Sequence, residues 1–342
     1  MKVIPPSGKP AFDAGVKALE GGNLTAAADL FAAALRADPG NVAAHHYAGG
    51  VAFRSARYRE ALEHFEGASR LDPGEVQYRF DAAVAHWKLG DIDAARRNGE
   101  KALELSPGFL PAHQLLSTLD FPGPFYSDVL AMVHAHLRPR TYVEIGVADG
   151  QSIALALPET RAIGIDPEPK ISAPLGPRTR VVAETSDDYF AHHDVRAEMD
   201  GLPIDLAFID GMHQFEYALR DFINIEGRSS PRSTILIHDC YPLNRLTAER
   251  ERRTLFWSGD VWRLVLLLRK HRPDLSLNVI ATAPTGLCVV RRLDPDSRVL
   301  QDNYEALVRE YLALDYAVLD TDKAGMLARF PNDWEKIKPL LQ

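Results

Sequence analysis

The sequence predicts two folds in tandem: an all-α solenoid of helical repeats, then an α/β domain built on a mostly parallel sheet. Three observations predict this. A 34-residue period marks the first third of the chain at Pro39, Pro73 and Pro107 (73 − 39 = 107 − 73 = 34). From Thr141 onward, short apolar runs alternate with helical stretches, the pattern of strands joined by crossover helices. Between them stands Phe121-Pro122-Gly123-Pro124, where Pro and Gly stop a helix and set an extended connection.

Composition sets the outer limits. At 342 residues the chain is long enough for about two domains. With 39 Lys+Arg against 47 Asp+Glu the net charge is −8. That balance excludes general nucleic-acid binding, which needs cationic surface for phosphates. Hydrophobic residues at 46% and charged residues at 25% exclude disorder across the whole chain. Cys240 and Cys288 are the only cysteines, so no disulfide framework and no four-cysteine zinc site is built. Met1 to Pro6 contains no apolar leader segment, and the run Leu264 to Leu268 is too short for a bilayer. No membrane partner and a reducing, cytoplasmic location are expected.

In the repeats, small residues recur in phase at Ala27, Ala61 and Ala95, and again at Ala34, Ala68 and Ala102. Phe31, Phe65 and Gly99 sit between them, and turns fall at Gly22-Asn23, Ala56-Arg57 and Gly90-Asp91. Each unit therefore reads as two helices crossing closely over small side chains. Period, turn, small residues and closing Pro together resemble the tetratricopeptide repeat, in three copies from Ala11 to Pro107. The family's first aromatic position is occupied by Ala11, His45 and Arg79 instead. With a capping helix at Ala112 to Leu119, the repeat region is expected to span 8–120. The resemblance implies a groove for a protein or peptide partner. A stacking module that forms a homo-oligomer or supports the next domain is the other reading. His45, His46, His64 and His86 are read as surface or groove residues, because their spacing builds no metal site.

Residues 121–140 read as a linker and a leading helix, Phe125 to Leu137. The expected strands follow in order: Tyr142–Ile145, Ala162–Ile165, Arg180–Ala183, Leu206–Ile209, Thr234–Ile237, Leu277–Ala281 and Leu287–Val290. The last two flank Pro284-Thr285-Gly286 and read as an antiparallel pair at a sheet edge. The α/β domain is placed at 141–295, and 296–342 reads as a helical C-terminal extension without an assigned role.

Ligands of such sheets bind at the carboxyl ends of the strands. The first strand ends in Glu144-Ile145-Gly146-Val147-Ala148-Asp149-Gly150-Gln151-Ser152, with a helix N-terminus expected beyond. The second ends in Asp166, 20 residues after Gly146 (166 − 146), a carboxylate placed to accept ribose hydroxyls. Ala148 and Ser152 stand where a dinucleotide fingerprint needs glycines. The spacing Gly146-x-x-x-Gly150, with Glu144 two positions earlier, resembles motif I of class I S-adenosylmethionine-dependent methyltransferases, whose domain is Rossmann-like. The fourth and fifth strands end in Ile209-Asp210-Gly211-Met212-His213 and Ile237-His238-Asp239. Together these residues resemble bacterial cation-dependent sugar O-methyltransferases and relatives of cephalosporin-tailoring enzymes. The likeness covers Phe125 to Asp294, including Asp205 to Asp221 and a helix expected at Trp257 to Leu266.

The resemblance implies S-adenosylmethionine bound by Glu144, Gly146, Gly150, Ser152 and Asp166, with Ser186 and Asp187 at the adenine. It implies a divalent cation, Mg²⁺ or Mn²⁺, at Asp210, His238 and Asp239. In the family acidic residues fill all three places, so His238 is a departure, and it is either a ligand for a softer ion or a group that orients a carboxylate. His213 would serve as base beside Asp210, making an acceptor hydroxyl nucleophilic. Plainer roles remain open: Asp210 and Asp239 as caps, and His213 as a partner of Asp210. Cys240 reads as a semi-buried thiol rather than a nucleophile. Arg245, Arg250, Arg252 and Arg253 either bind an anionic acceptor or form a solvated charged face. The expected function is S-adenosylmethionine-dependent O-methylation of a sugar, glycan or other small hydroxylated metabolite. An inactive interaction scaffold is the competing reading.

Overall fold

The computed structural model describes residues 8–342, and the reading of Met1 to Pro6 lies outside the described residues. The chain divides into two compact units, one ending at Leu119 and the other spanning Asp120–Gln342.

The first unit is a series of helices: α1 (Lys9–Glu20), α2 (Leu24–Ala37), α3 (Val42–Arg54), α4 (Tyr58–Leu71), α5 (Val76–Lys88), α6 (Ile92–Leu105) and α7 (Leu110–Asp120). Asn23, Asn41 and Asp91 open α2, α3 and α6 by accepting from the backbone N–H three residues on, which satisfies a donor the helix cannot. The repeat positions explain the close crossings. A Cβ on Gly15 would stand 2.8 Å from Phe31, and one on Gly49 would stand 2.6 Å from Phe65. All six in-phase alanines are fully buried. His45 covers Gly67, with its Nδ1 3.3 Å from Nδ1 of His64.

The second unit opens with α8 (Tyr126–Leu137) and carries an eight-stranded sheet: β1 (Thr141–Ile145), β2 (Arg161–Ile165), β3 (Thr179–Val182), β4 (Leu206–Ile209), β5 (Thr234–His238), β6 (Ser276–Ile280), β7 (Leu287–Arg291) and β8 (Arg329–Phe330). The spatial order is β3-β2-β1-β4-β5-β7-β6-β8. Strands β1 to β5 run parallel, and β7 is antiparallel to both β5 and β6. All seven expected runs are strands, and the domain is Rossmann-like. Alternate residues face opposite ways. Val143, Ile145, Ala207 and Ile209 enter one core, and Tyr142, Leu206 and Phe208 enter the other. The connections include α9 (Ser186–His192), α10 (Val195–Glu198), α11 (Phe215–Glu226) and α12 (Trp262–His271). Helices α9 to α12 fill the first core and α8 covers the second.

Three expectations need correction. The helix expected after β1 is only a 3₁₀ turn at Ile153–Leu155. Ala156 is already extended, and Pro158 disfavours helical backbone at Leu157. The helix expected from Trp257 begins at Trp262, leaving Trp257 in a loop. The C-terminal extension is not purely helical, because β8 pairs in parallel with β6. Nor is it peripheral: Leu300, Leu307, Tyr311, Leu319 and Leu327 belong to one core, Ile337 and Leu341 to the other. Among the described residues no helix is long and apolar enough to cross a membrane.

Candidate active site

Strand order reverses direction between β1 and β4, and at such a switch point the connections leave on opposite faces and open a crevice. A cavity of about 500 Å³ lies there, walled by the ends of β1 to β4 and by Tyr126 of α8. Its lining includes Asp149, Asp166, Asp187, Asp210 and Asp221, and no Lys or Arg.

The loop after β1 is shaped by its glycines. Gly146 has φ +85°, and a Cβ there would collide with the carbonyl of Asp210, so only glycine lets the β1 and β4 loops cross. Asp166 holds this loop: one carboxylate oxygen accepts from the N–H groups of Val147 (3.0 Å) and Ala148 (2.9 Å), and the other from Glu168 (2.8 Å). Ser152 lines the cavity and donates to Glu144 at 2.6 Å.

Glu144 and Gly150, expected as cofactor contacts, do not line the cavity. Glu144 is fully buried beneath the loop, accepting from Ser152 and, at 2.5 Å, from Tyr142. Burial pushes its carboxyl up to about 8, against these two hydrogen bonds. Gly150 makes a turn at φ +87° packed on Ile171 and Leu175. Ser186 and Asp187, expected at the adenine, line the cavity, and the Asp187 carboxylate accepts bidentately from Arg220 at 2.8 and 2.7 Å. Asp221 is buried behind them, and burial pushes its carboxyl up to about 7.

At the β4 and β5 ends, Asp210, His213 and Asp239 each offer a donor atom, all within 4.8 Å of one another. His213 Nδ1 stands 2.9 Å from Oδ2 of Asp239, and its Nε2 3.5 Å from Asp210. Both His213 (φ 54°) and Asp239 (φ 57°) hold left-handed backbone, a cost that functional sites commonly carry. The Thr285 hydroxyl donates to Oδ1 of Asp239. Oδ2 is buried and has no well-directed hydrogen bond. Burial disfavours the His213 imidazolium, but Asp239 and Asp210 outweigh it and push the pKa up to about 9. Burial likewise opposes ionisation of Asp239, yet the two histidines hold it well below the usual carboxylate range.

His238, expected as a ligand, is not in this group of three. It is the last residue of β5, and its Nδ1 faces Asp210 (3.0 Å) and Asp239 (3.4 Å) from beneath. Its ring lies 4.2 Å from that of Tyr126. The His238 side chain thus contacts both carboxylates from within the sheet, and His213 is the histidine whose ring borders the cavity.

The segment after β5 braces His213. Trp257 stacks on its ring at 5.2 Å. A Cβ on Gly259 would collide with the His213 carbonyl, and Asp260 N–H donates to that carbonyl at 3.1 Å. Asp260, fully buried, accepts from Phe215 N–H, Arg250 and Arg263. Of the four arginines read as an acceptor loop or a charged face, Arg250 is half-buried on Glu216 and Asp260, whereas Arg245 with Asp315, Arg253 with Glu249 and Arg252 on backbone carbonyls are exposed, as in a charged face. Cys240 is buried, and burial pushes its thiol pKa up. Tyr126, Asp221, Trp257 and Thr285 were not singled out as site residues in the sequence. Only the Asp-Gly-x-His run pointed towards them, through the residue they surround.

Comparison with known families matches the description "Tetratricopeptide repeat" over residues 12–57 and 48–108, and "Methyltransferase domain" over residues 143–240. Comparison with curated proteins finds no match. Similar solved structures include the first TPR domain of Spaghetti (RPAP3) bound to an HSP90 peptide, at 21% identity and TM-score 0.32, covering 33% of this chain and 90% of that one. The Arabidopsis OM64 TPR domain is similar at 17% identity and TM-score 0.32, covering 33% and 93%. MamA from Desulfovibrio magneticus RS-1 is similar at 20% identity and TM-score 0.32, and this chain spans 33% of itself and 64% of MamA, under two thirds.

Proposed function

We propose that this chain, which carries tetratricopeptide repeats followed by a methyltransferase domain, moves the methyl group of S-adenosylmethionine onto a hydroxyl of a sugar or other small acceptor, assisted by a divalent cation. The observation that carries the reading is the acidic lining of the cavity at the switch point of the sheet: Asp149, Asp166 and Asp210, beside Asp187, which Arg220 neutralises, and Asp221, whose carboxyl burial pushes up to about 7, with no lysine or arginine in the lining. Such a field favours a ligand bearing a sulfonium and an ammonium and disfavours the pyrophosphate of a dinucleotide. The missing glycine at Ala148 points the same way.

The donor supplies a methyl group already activated on sulfur, so the protein's tasks are alignment and deprotonation. The backbone of the Gly146 loop, fixed by Asp166, and the β3 end at Ser186 would hold it. A cation also fits. The donor atoms of Asp210 and Asp239 lie within 4.8 Å, and the buried Oδ2 of Asp239 lacks a well-directed partner. When bound there it lowers the pKa of a hydroxyl; two carboxylates and water suit Mg²⁺ or Mn²⁺. His213 stands as the base in its neutral form, which its raised pKa places towards alkaline pH. Asp239 faces its Nδ1 and stabilises the imidazolium, and its ring borders the cavity. The repeats would bind a protein partner or pair two copies, and light scattering reads the second.

Calorimetric titration tests this with S-adenosylhomocysteine, Mn²⁺ and NAD. S-adenosylhomocysteine is expected to bind and NAD not. Asp210→Ala should lose Mn²⁺ binding and methyl transfer, whereas His213→Ala should lose transfer and keep Mn²⁺. Binding of NAD without S-adenosylhomocysteine would overturn the assignment.

A further inference from the structure

One aromatic side chain of the cavity comes from outside the matched methyltransferase region. Tyr126 is the first residue of α8, ahead of residues 143–240. The segment before it is pinned by distant parts of the unit. Tyr126 N–H donates to the Ala283 carbonyl at 3.1 Å, and Thr282 and Asn332 both donate to the Pro124 carbonyl at 2.8 Å. The Asp128 carboxylate accepts from Phe125 N–H and caps the helix. A Pro-Gly-Pro stretch that reads as a linker is therefore the mount that aims Tyr126.

The ring is backed by His238 at 4.2 Å and by Phe208 at 6.3 Å, and it borders the cavity. Burial, then Asp210, Asp239, Glu144 and Asp149, push its hydroxyl well above the ordinary tyrosine range. The side chain is thus a neutral phenol that packs on His238 and lies close to the carboxylates His238 pairs with. A half-buried aromatic ring beside anions is an arrangement that holds an onium cation. The reactive sulfur must lie at the end of the cavity nearest Asp210 and His213, since the methyl group leaves towards them. Tyr126 is linked to that end through His238, whose ring is 4.2 Å from its own and whose Nδ1 is 3.0 Å from Asp210.

We propose that Tyr126 recognises the sulfonium centre of the methyl donor through its aromatic face, making the site prefer the charged donor over the neutral product. The proposal rests on the methyltransferase reading and adds a specificity-determining residue to it. The exchange of S-adenosylhomocysteine for fresh donor would then be favoured by charge, because transfer removes the sulfonium and leaves a thioether.

Calorimetry on the full chain, without acceptor, measures the dissociation constants of S-adenosylmethionine and S-adenosylhomocysteine. The wild type is expected to prefer the donor by about 3- to 10-fold, the range of an aromatic–cation contact. Tyr126→Leu should erase most of that preference while S-adenosylhomocysteine affinity stays within about twofold, and Tyr126→Phe should keep it. Should the leucine variant not fold, phenylalanines with one, two and three ring fluorines at position 126 replace it, and the preference should fall stepwise. Equal weakening of both ligands, a preference lost in the Phe variant, or no trend with fluorination overturns the role of the ring. Failure of the wild type to bind either ligand overturns the methyltransferase reading, and this one with it.

Discussion

Glu144 illustrates how one residue's position in the sequence and its place in space separate. It sits two residues before Gly146, yet it lies under the loop, satisfied by Tyr142 and Ser152. Its pKa is raised to about 8 by burial. Between the unfolded value and that one the folded chain binds the proton more tightly, so stability must fall as pH rises. Relative to Glu144→Gln, the wild type should lose at most about 1.4 kcal/mol per pH unit between roughly pH 5 and pH 8, read by urea unfolding at several pH values. A curve parallel to that of the variant would show the carboxylate is not held in this way. Gly259 makes a second case. Its φ is +62° and a Cβ would strike the His213 carbonyl, whereas Gly22 has φ +77° and nothing within 4 Å. Gly259→Ala should cut methyl transfer at least tenfold. Gly22→Ala should cost only about 1 kcal/mol of local backbone energy and leave transfer unchanged, as an assay of both variants beside the wild type would show.

At the scale of elements, the segment from Arg245 to Arg263 acts as a brace for the β4 loop. Asp260 is its hinge point, accepting from Phe215 N–H at 2.7 Å and pairing with Arg250 and Arg263. Asp260→Ala would leave Arg263 nearly buried without its carboxylate, which costs about 3–5 kcal/mol for a buried pair. Its melting temperature should drop, and S-adenosylhomocysteine should bind less tightly because His213 and Met212 line the cavity. A variant as stable as the wild type would refute the brace. Its buried pairs were poorly legible in the sequence: mixed charges between Glu249 and Arg253 suggest exposure, which holds for Glu251, Arg252 and Arg253, whereas Asp260 and Arg263 are buried. The seven strands were legible because continuous apolar runs have no other home in a doubly covered sheet. The strand β8 was not, being two residues that are half exposed and gain their place only by pairing with β6. Asp210, His213 and Asp239 were legible because strand ends converge by topology alone. That His213 rather than His238 joins the convergent group was not, since it depends on how each ring is turned. Tyr126 and Thr285 reach the site from 84 and 75 residues away from Asp210 (210 − 126 and 285 − 210), a proximity no spacing reveals.

At the scale of the molecule, each unit has hydrophobic clusters of its own, at Phe31 and Phe65 in the first and on both sheet faces in the second. The last 47 residues (342 − 295) complete the second unit's cores rather than trail from them, so a chain ending at 295 should fail to fold its α/β unit. Burying the seven large side chains that this segment supplies, five to one core and two to the other, contributes about 1.5–3 kcal/mol apiece, more than the margin of an ordinary domain once several are lost. Circular dichroism of the truncated chain should keep the helical signal of the repeats and lose the cooperative melt of the sheet. Separate cores also imply separate cooperativity. Calorimetric scanning of the full chain should resolve two transitions, one for the repeats and one for the sheet. A ligand that binds only the folded second unit shifts only that transition, by about 2.7 kcal/mol at 100 times its dissociation constant. S-adenosylhomocysteine should therefore raise one melting temperature and leave the other fixed. A single transition that moves as a whole would mean that the repeats and the methyltransferase domain fold as one cooperative body, and that events in the cavity reach the repeats.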